Sequence, residues 1–250
     1  MELDPTKRFS ARVDDYKRHR PPYPAQIGEL LARDCGLTAA SRIADVGCGT
    51  GLLAEVFLRR GCEVYGVEPN AGMRQAAEGT LAGEARFHSV DGRAEATTLP
   101  DAGMDFVTAG QAFHWFDPPR ARTEFLRILK PGGWLALVWN ERAPGGGFQA
   151  DYEEVVRRYS PETRRIEPDA IDCVFGGRVW RLAQFPNRQE HDRAGLQGRL
   201  SSSSYAPLPA TAEHAAMLEA VGELFDRYQQ GGSVTLLYET SVYLGQPGGL

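Results

Sequence analysis

RIADVGCGTGLLAEVFLRRGCEVYGVEP, residues 42–69, decides the fold. Ile43 to Val46 is a short apolar run broken by Asp45. It ends in Gly47-Cys48-Gly49-Thr50-Gly51; Leu52 to Arg59 then continues at helical spacing, and a second run from Cys62 to Val67 ends in Glu68. Strand, glycine turn, helix, strand and acid is the order of a βαβ nucleotide-binding unit. Glycine tolerates positive φ and leaves room for a ligand where a Cβ would collide. A helix beginning near Gly51 turns free N–H groups and its positive end toward that ligand. Glu68, at the carboxyl end of the second strand, is placed to accept hydrogen bonds from both ribose hydroxyls.

Two features separate this loop from the dinucleotide fingerprint G-x-G-x-x-G. The third glycine, Gly51, comes one residue early, and Asp45 sits two residues before the first. DVGCGTG followed by Glu68-Pro69 resembles the class I S-adenosylmethionine-dependent methyltransferases. That resemblance implies that Asp45, Gly47, Cys48, Gly49, Thr50 and Gly51 hold the methionine part of S-adenosyl-L-methionine, with Glu68 and Pro69 at the ribose. It also implies an α/β fold: a Rossmann-like, doubly wound, seven-stranded and mostly parallel sheet with an antiparallel last strand. Taken alone, the glycines also fit a turn in an unrelated α/β protein.

Composition narrows the field. A chain of 250 residues can bury a substantial core, and 42% hydrophobic with 24% charged residues is ordinary for a soluble globular protein. No apolar run approaches the ~20 residues of a membrane span, and the N-terminus lacks the apolar stretch of a secretory signal. Cys35, Cys48, Cys62 and Cys173 show no C-x-x-C spacing and no metal pattern, so a reducing cytoplasm is the simplest home. A net charge of −5 argues against a sequence-independent nucleic-acid binder, which needs phosphate-neutralising surface.

The first 24 residues are polar and basic and end in Arg20-Pro21-Pro22-Tyr23-Pro24, which stops any helix. They read either as a solvated arm or, from the spacing of Phe9, Val13, Tyr16 and His19/Arg20, as a short helix with one apolar face. FSARVDDY followed by RPPYP resembles small-molecule methyltransferases related to trans-aconitate methyltransferases, whose N-terminal segment folds over the cofactor. By that resemblance residues 1–24 form a lid. Tyr16 would then lie near the sulfonium, where an aromatic face attracts positive charge, and Arg20 would face a substrate carboxylate.

Ala25 to Cys35 reads as an amphipathic helix ended by Gly36. Asn70 caps the next helix after the glycine-loop unit, running to Gly79, in which Met73 is either core or, by the resemblance, packed on the cofactor. Arg86 to Val90 is a third strand, followed by a loop whose Ala94 and Glu95 match the family's adenine-framing position; Asp91 reads equally as a turn residue. Met104 to Ala109 is the fourth strand, with Asp105 in a structural role by the resemblance. Gln111-Ala112-Phe113-His114-Trp115-Phe116 follows at the strand's carboxyl end, where doubly wound sheets bind ligands. His114 is either a satisfied buried histidine or a group that orients the acceptor or takes its proton. QAFHWFD resembles the same branch, which places Gln111 at the cofactor and His114 with Trp115 at the substrate.

Arg120 to Leu129 reads as a helix, ended by Lys130-Pro131-Gly132-Gly133, with Trp134 to Trp139 as strand five. The LKPGG turn is a further family hallmark; Lys130 reads as a helix C-terminal charge rather than a catalytic amine. Asp151 to Tyr159 is a charged amphipathic helix, Val179 to Phe185 and the alternating tract after it hold strand six, Thr211 to Tyr228 is a long helix, and Ser233 to Leu244 is the last strand. The expected organisation is a lid at 1–24, a cofactor-binding core at 25–140, a cap at 141–178, and at 179–250 the rest of the core with its antiparallel pair. Three functions stay open: methyl transfer to a small molecule by in-line displacement, S-adenosylmethionine binding without catalysis, and nicotinamide-dependent oxidoreduction. Neither the acceptor nor the oligomeric state is legible.

Overall fold

The computed structural model describes residues 19–159, 167–203 and 206–248; Phe9, Val13 and Tyr16 lie outside them. Seven strands form one sheet: β1 (Arg42–Val46), β2 (Glu63–Val67), β3 (Phe87–Val90), β4 (Met104–Gly110), β5 (Leu129–Arg142), β6 (Trp180–His191) and β7 (Val234–Gly245). Their order is β3-β2-β1-β4-β5-β7-β6. The pairings from β3 through β5 are parallel, and β7 runs antiparallel between β5 and β6. This is the doubly wound α/β sheet that the sequence led us to expect. The order reverses between β1 and β4, and such a switch point opens a crevice at the strands' carboxyl ends.

Helices cover both faces, which is why the parallel strands read as near-continuous apolar runs. On one face α1 (Gln26–Cys35) and α2 (Ala54–Leu58) bury Ile27, Leu31 and Phe57 against Ile43, Phe106 and Val138. On the other, α4 (Pro118–Ile128) and α6 (Pro168–Phe175) bury Phe125, Ile128 and Phe175 against Ala44, Val107 and Leu137. The remaining helix of the glycine-loop half, α3 (Ala71–Thr80), is capped by Asn70 Oδ1, which accepts from the Met73 amide at 3.0 Å. A third cluster lies apart from these layers. There α5 (Phe148–Tyr159), α7 (Arg193–Ser201) and α8 (Ala212–Tyr228) pack Tyr152, Leu200, Met217 and Val221 onto Leu236 and Tyr238 of β7.

Local departures from the expected elements have physical causes. The helix after the glycine loop begins at Ala54 rather than near Gly51, because Gly51 sits at φ +87° in a turn closed by its own amide on Cys48 O. Strand β5 absorbs the Lys130–Gly133 turn through a register shift opposite Met104 and Phe106. Lys130 Nζ ion-pairs with Asp105 Oδ1 at 2.7 Å, and Asp105 Oδ2 accepts the Arg42 amide, so that acid ties three strand ends together. Pro186 stands mid-strand in β6, tolerated because β6 is an edge.

Candidate functional site

The glycine loop crosses the end of β2. Gly47 and Cys48 both donate backbone N–H to Val67 O, at 2.8 and 3.2 Å. Gly47 needs to be glycine: its φ is +68°, and a Cβ there would lie 2.6 Å from the Ala112 Cβ. Glu68 closes the loop from the far side. Its Oε2 accepts the Gly49 amide at 3.1 Å and its Oε1 accepts the Asn70 amide at 3.0 Å. A carboxylate has about four acceptor positions, so each oxygen keeps one for a ligand. Burial pushes the Glu68 carboxyl up, opposed by those two amides and then by Arg74.

Arg74 braces this corner, donating to Glu68 O at 2.8 Å and pairing with Asp91 Oδ2 at 3.0 Å. Asp91 is thus a structural partner. Glu95 Oε1 accepts the amide of Asp117, the N-cap of α4, which ties the loop after β3 to the helix after β4. Between these parts lies a cavity of about 110 Å³ lined by Gly47, Glu68, Pro69, Ala94, Trp115 and Phe116, with Asn70, Arg93, Glu95 and Ala112 completing it. Acid at one end and apolar or aromatic walls at the other suit a nucleoside: hydroxyls at the carboxylate, a flat base between the walls.

A second, smaller cavity adjoins the first through Gly47 and is lined by Tyr23, Asp45, Cys48, Thr50, Leu52, Leu53 and Gly110. Asp45 is fully buried. Thr108, its register partner on β4, donates Oγ1–H to Asp45 Oδ1 at 2.9 Å. Asp45 Oδ2 and the buried Thr50 Oγ1 have no hydrogen-bond partner. Burial pushes the Asp45 carboxyl up to about 7, partly offset by the Thr108 hydroxyl, with Glu68 adding to the rise and the Ala54 amide opposing it. Two such orphaned atoms on residues lining one cavity are uncommon in a folded protein, and an ammonium together with a hydrogen-bonding group is the chemistry that would satisfy both. Burial, followed by the charges of Asp45 and Glu68, pushes the Cys48 thiol up, so it packs as a neutral side chain.

The loop after β4 is a 3-10 turn at Phe113–Trp115. Phe113 is buried edge-on against Trp139 and Phe116, which anchors the turn and leaves His114 and Trp115 half-buried beside each other, ring centroids 5.0 Å apart. Gln111 sits at φ +53°, a left-handed conformation that costs a non-glycine residue about 1 kcal/mol or more. Its amide donates to Val138 O at 2.9 Å and its side chain to Asn140 O at 2.9 Å. Met73 is buried in α3. Arg20 donates to Ser202 O at 3.0 Å. Among the sequence candidates, the structure gathers Asp45, Gly47, Cys48, Thr50, Glu68, Pro69, Ala94, Glu95 and Trp115 around two joined cavities. Gly49 and Gly51 shape the loop at positive φ, while Met73, Gln111, His114 and Arg20 stand outside the lining of either cavity.

Arg93, Phe116, Tyr23 and Thr108 were not among the sequence candidates. Phe116 carried a signal, since it belongs to an aromatic stretch at the carboxyl end of a strand, where doubly wound sheets bind ligands. Thr108 carried none, because its role comes from sheet register.

Comparison with known proteins bears on the domain and the fold. Residues 44–137 match the family model described as a methyltransferase domain. An uncharacterized methyltransferase of Mycobacterium tuberculosis is 36% identical over 155 residues, covering 62% of this chain and 61% of that protein. The chain therefore spans about three fifths of that relative's length. An uncharacterized methyltransferase-like protein of Schizosaccharomyces pombe is 27% identical over 247 residues, 95% of this chain and 94% of that protein. The solved structure of a candidate type II methyltransferase from Anaeromyxobacter dehalogenans superposes with a TM-score of 0.67 at 20% identity, covering 91% of this chain and 98% of that one.

Proposed function

We propose, from the methyltransferase-domain match over residues 44–137 and the doubly wound fold, that this chain moves a methyl group from S-adenosyl-L-methionine to a small-molecule acceptor. One observation carries the cofactor reading: two cavities share Gly47, one holding the Glu68 carboxylate among apolar walls and the other holding the orphaned Asp45 Oδ2 and Thr50 Oγ1. Those are the needs of a nucleoside joined to an amino acid. Glu68 takes the ribose hydroxyls, Ala94, Trp115 and Phe116 enclose the adenine, and Asp45 with Thr50 takes the amino-acid end. When bound, the cofactor supplies an electrophilic methyl on sulfur.

The chain's part is chiefly alignment, because holding nucleophile and methyl in near-attack geometry can supply about 7–11 kcal/mol. His114, half-buried on the turn beside Trp115, orients the acceptor or takes its proton where the acceptor is a hydroxyl or amine; a carboxylate acceptor needs no base. We assign Arg20 to an acceptor carboxylate, Tyr16 to the sulfonium end of the cofactor, and Met73 and Gln111 to cofactor binding. We assign the cap over the acceptor side to residues 141–178, where α5 lies. We place the enzyme in the cytoplasm, acting without nucleic acid; among the described residues no helix is long and apolar enough to cross a membrane.

The test is formation of S-adenosylhomocysteine with methyl-labelled cofactor and a panel of small acids, phenols and amines. Turnover with one class, reduced about 100-fold or more by His114→Ala for a hydroxyl or amine acceptor, supports the reading. Tight cofactor binding with no turnover across the panel points to the non-catalytic alternative.

A further inference from the structure

Residues 19–23 read His-Arg-Pro-Pro-Tyr. Proline has no N–H, so Pro21 and Pro22 present only carbonyl oxygens to their surroundings, and only donors can hold that stretch. The structure meets it with three side-chain amides. Asn187 Nδ2 donates to Pro22 O at 2.8 Å, and Asn140 Nδ2 lies 3.4 Å from both Pro21 O and Pro22 O. Gln189 Nε2 donates to His19 O at 3.2 Å and to Arg20 O at 3.3 Å.

These amides are themselves fixed. Asn187 and Gln189 are two apart on β6, so they share a face. Asn140 is buried at the end of β5, where its Oδ1 accepts both Thr240 Oγ1 at 2.5 Å and the second Asn187 N–H at 3.2 Å. Its carbonyl accepts Gln111 Nε2, which joins the network to the end of β4. Immediately after the clasped carbonyls comes Tyr23. It lines the small cavity with Asp45 and Thr50, and its hydroxyl lies so close to Gly110 that a Cβ there would be 2.6 Å away.

We propose that Asn140, Asn187 and Gln189 are positioning residues: their amides clasp the carbonyls of residues 19–22 and so hold Tyr23 in the wall of the cofactor cavity. None of the three lines either cavity; they act through Tyr23, and the clasp governs how fast a ligand leaves the amino-acid end of the site. This rests on the S-adenosylmethionine reading above.

The test is the dissociation rate of S-adenosylhomocysteine from the full chain, followed by rapid-mixing displacement. Asn187→Asp keeps the shape but replaces the donor with an oxygen facing Pro22 O. It should speed dissociation about 5- to 30-fold, the loss expected when a hydrogen bond becomes a repulsive pair. Tyr23→Ala should speed it similarly, and the double variant should be no faster than the faster single one, since both changes break the same path. Should Asn187→Asp fail to fold, Gln189→Glu tests the same clasp two residues along. Unchanged dissociation in the folded clasp variant, or additive effects with Tyr23→Ala, would overturn the clasp alone. Failure of the wild-type protein to bind S-adenosylhomocysteine would overturn the cofactor reading, and the clasp's role with it.

Discussion

Replacing Asp45 with asparagine should strengthen the empty protein while weakening its hold on the cofactor. The carboxyl is fully buried and raised from 3.8 to about 7, chiefly by burial. The folded chain therefore binds this proton more tightly than the unfolded chain, and stability falls as pH rises from about 4 to about 7, then levels off. About 3 units at roughly 1.4 kcal/mol each sets the cost of the buried charge above pH 7 at no more than ~4 kcal/mol. Asparagine keeps an oxygen for Thr108 and removes the charge. Ligand-free Asp45→Asn should then be more stable than wild type at pH 8 by roughly 2–4 kcal/mol in guanidinium titrations, the gap closing toward pH 4. With ligand the order reverses, because the ammonium loses its counter-charge; affinity for S-adenosylhomocysteine should fall at least ~10-fold. Wild-type affinity should also tighten about eightfold between pH 6 and 7.5 as Asp45 deprotonates. A variant equally or less stable than wild type at pH 8, or one binding normally, would refute this view of the small cavity.

Further expectations follow from neighbouring features. Gly47→Ala, with its Cβ driven to 2.6 Å from Ala112 and φ at +68°, should cost roughly 1–3 kcal/mol of stability and abolish measurable cofactor binding by calorimetry. Glu124 accepts both Thr97 N–H and Thr97 Oγ1–H and pairs with Arg127, whose hydrogen bonds lower its carboxyl to about 2. Its stabilisation is present above about pH 4.5 and lost as pH falls toward 2. Glu124→Gln should thus lower the melting temperature at pH 7 and converge with wild type near pH 2, without altering cofactor affinity.

The βαβ unit was legible because its information is local. Alternating apolar runs, glycines at positions that prove to need positive φ, and an acid at a strand end each state their role within a few residues. Glu68 and Asp45 were found this way, and so was Asn70 as a cap. Side chains whose role depends on register or on distant packing were not legible. Thr108 meets Asp45 only because β1 and β4 pair in one register, and Asn140, Asn187 and Gln189 converge on residues 19–22 from more than 100 positions away. Helix α6 was hidden by its length of eight residues, too short for a periodic signal. Gln111 was singled out in sequence for the cofactor, yet its positive φ and its bond to Asn140 were invisible there.

The most direct measurement is calorimetric titration of the purified protein with S-adenosylmethionine and S-adenosylhomocysteine, with NADH as control. Micromolar binding of the first two, lost in Glu68→Ala while NADH gives no heat, is the expected result. Binding of NADH instead, or S-adenosylhomocysteine affinity unchanged in Glu68→Ala, would contradict the assignment of the two joined cavities to this cofactor.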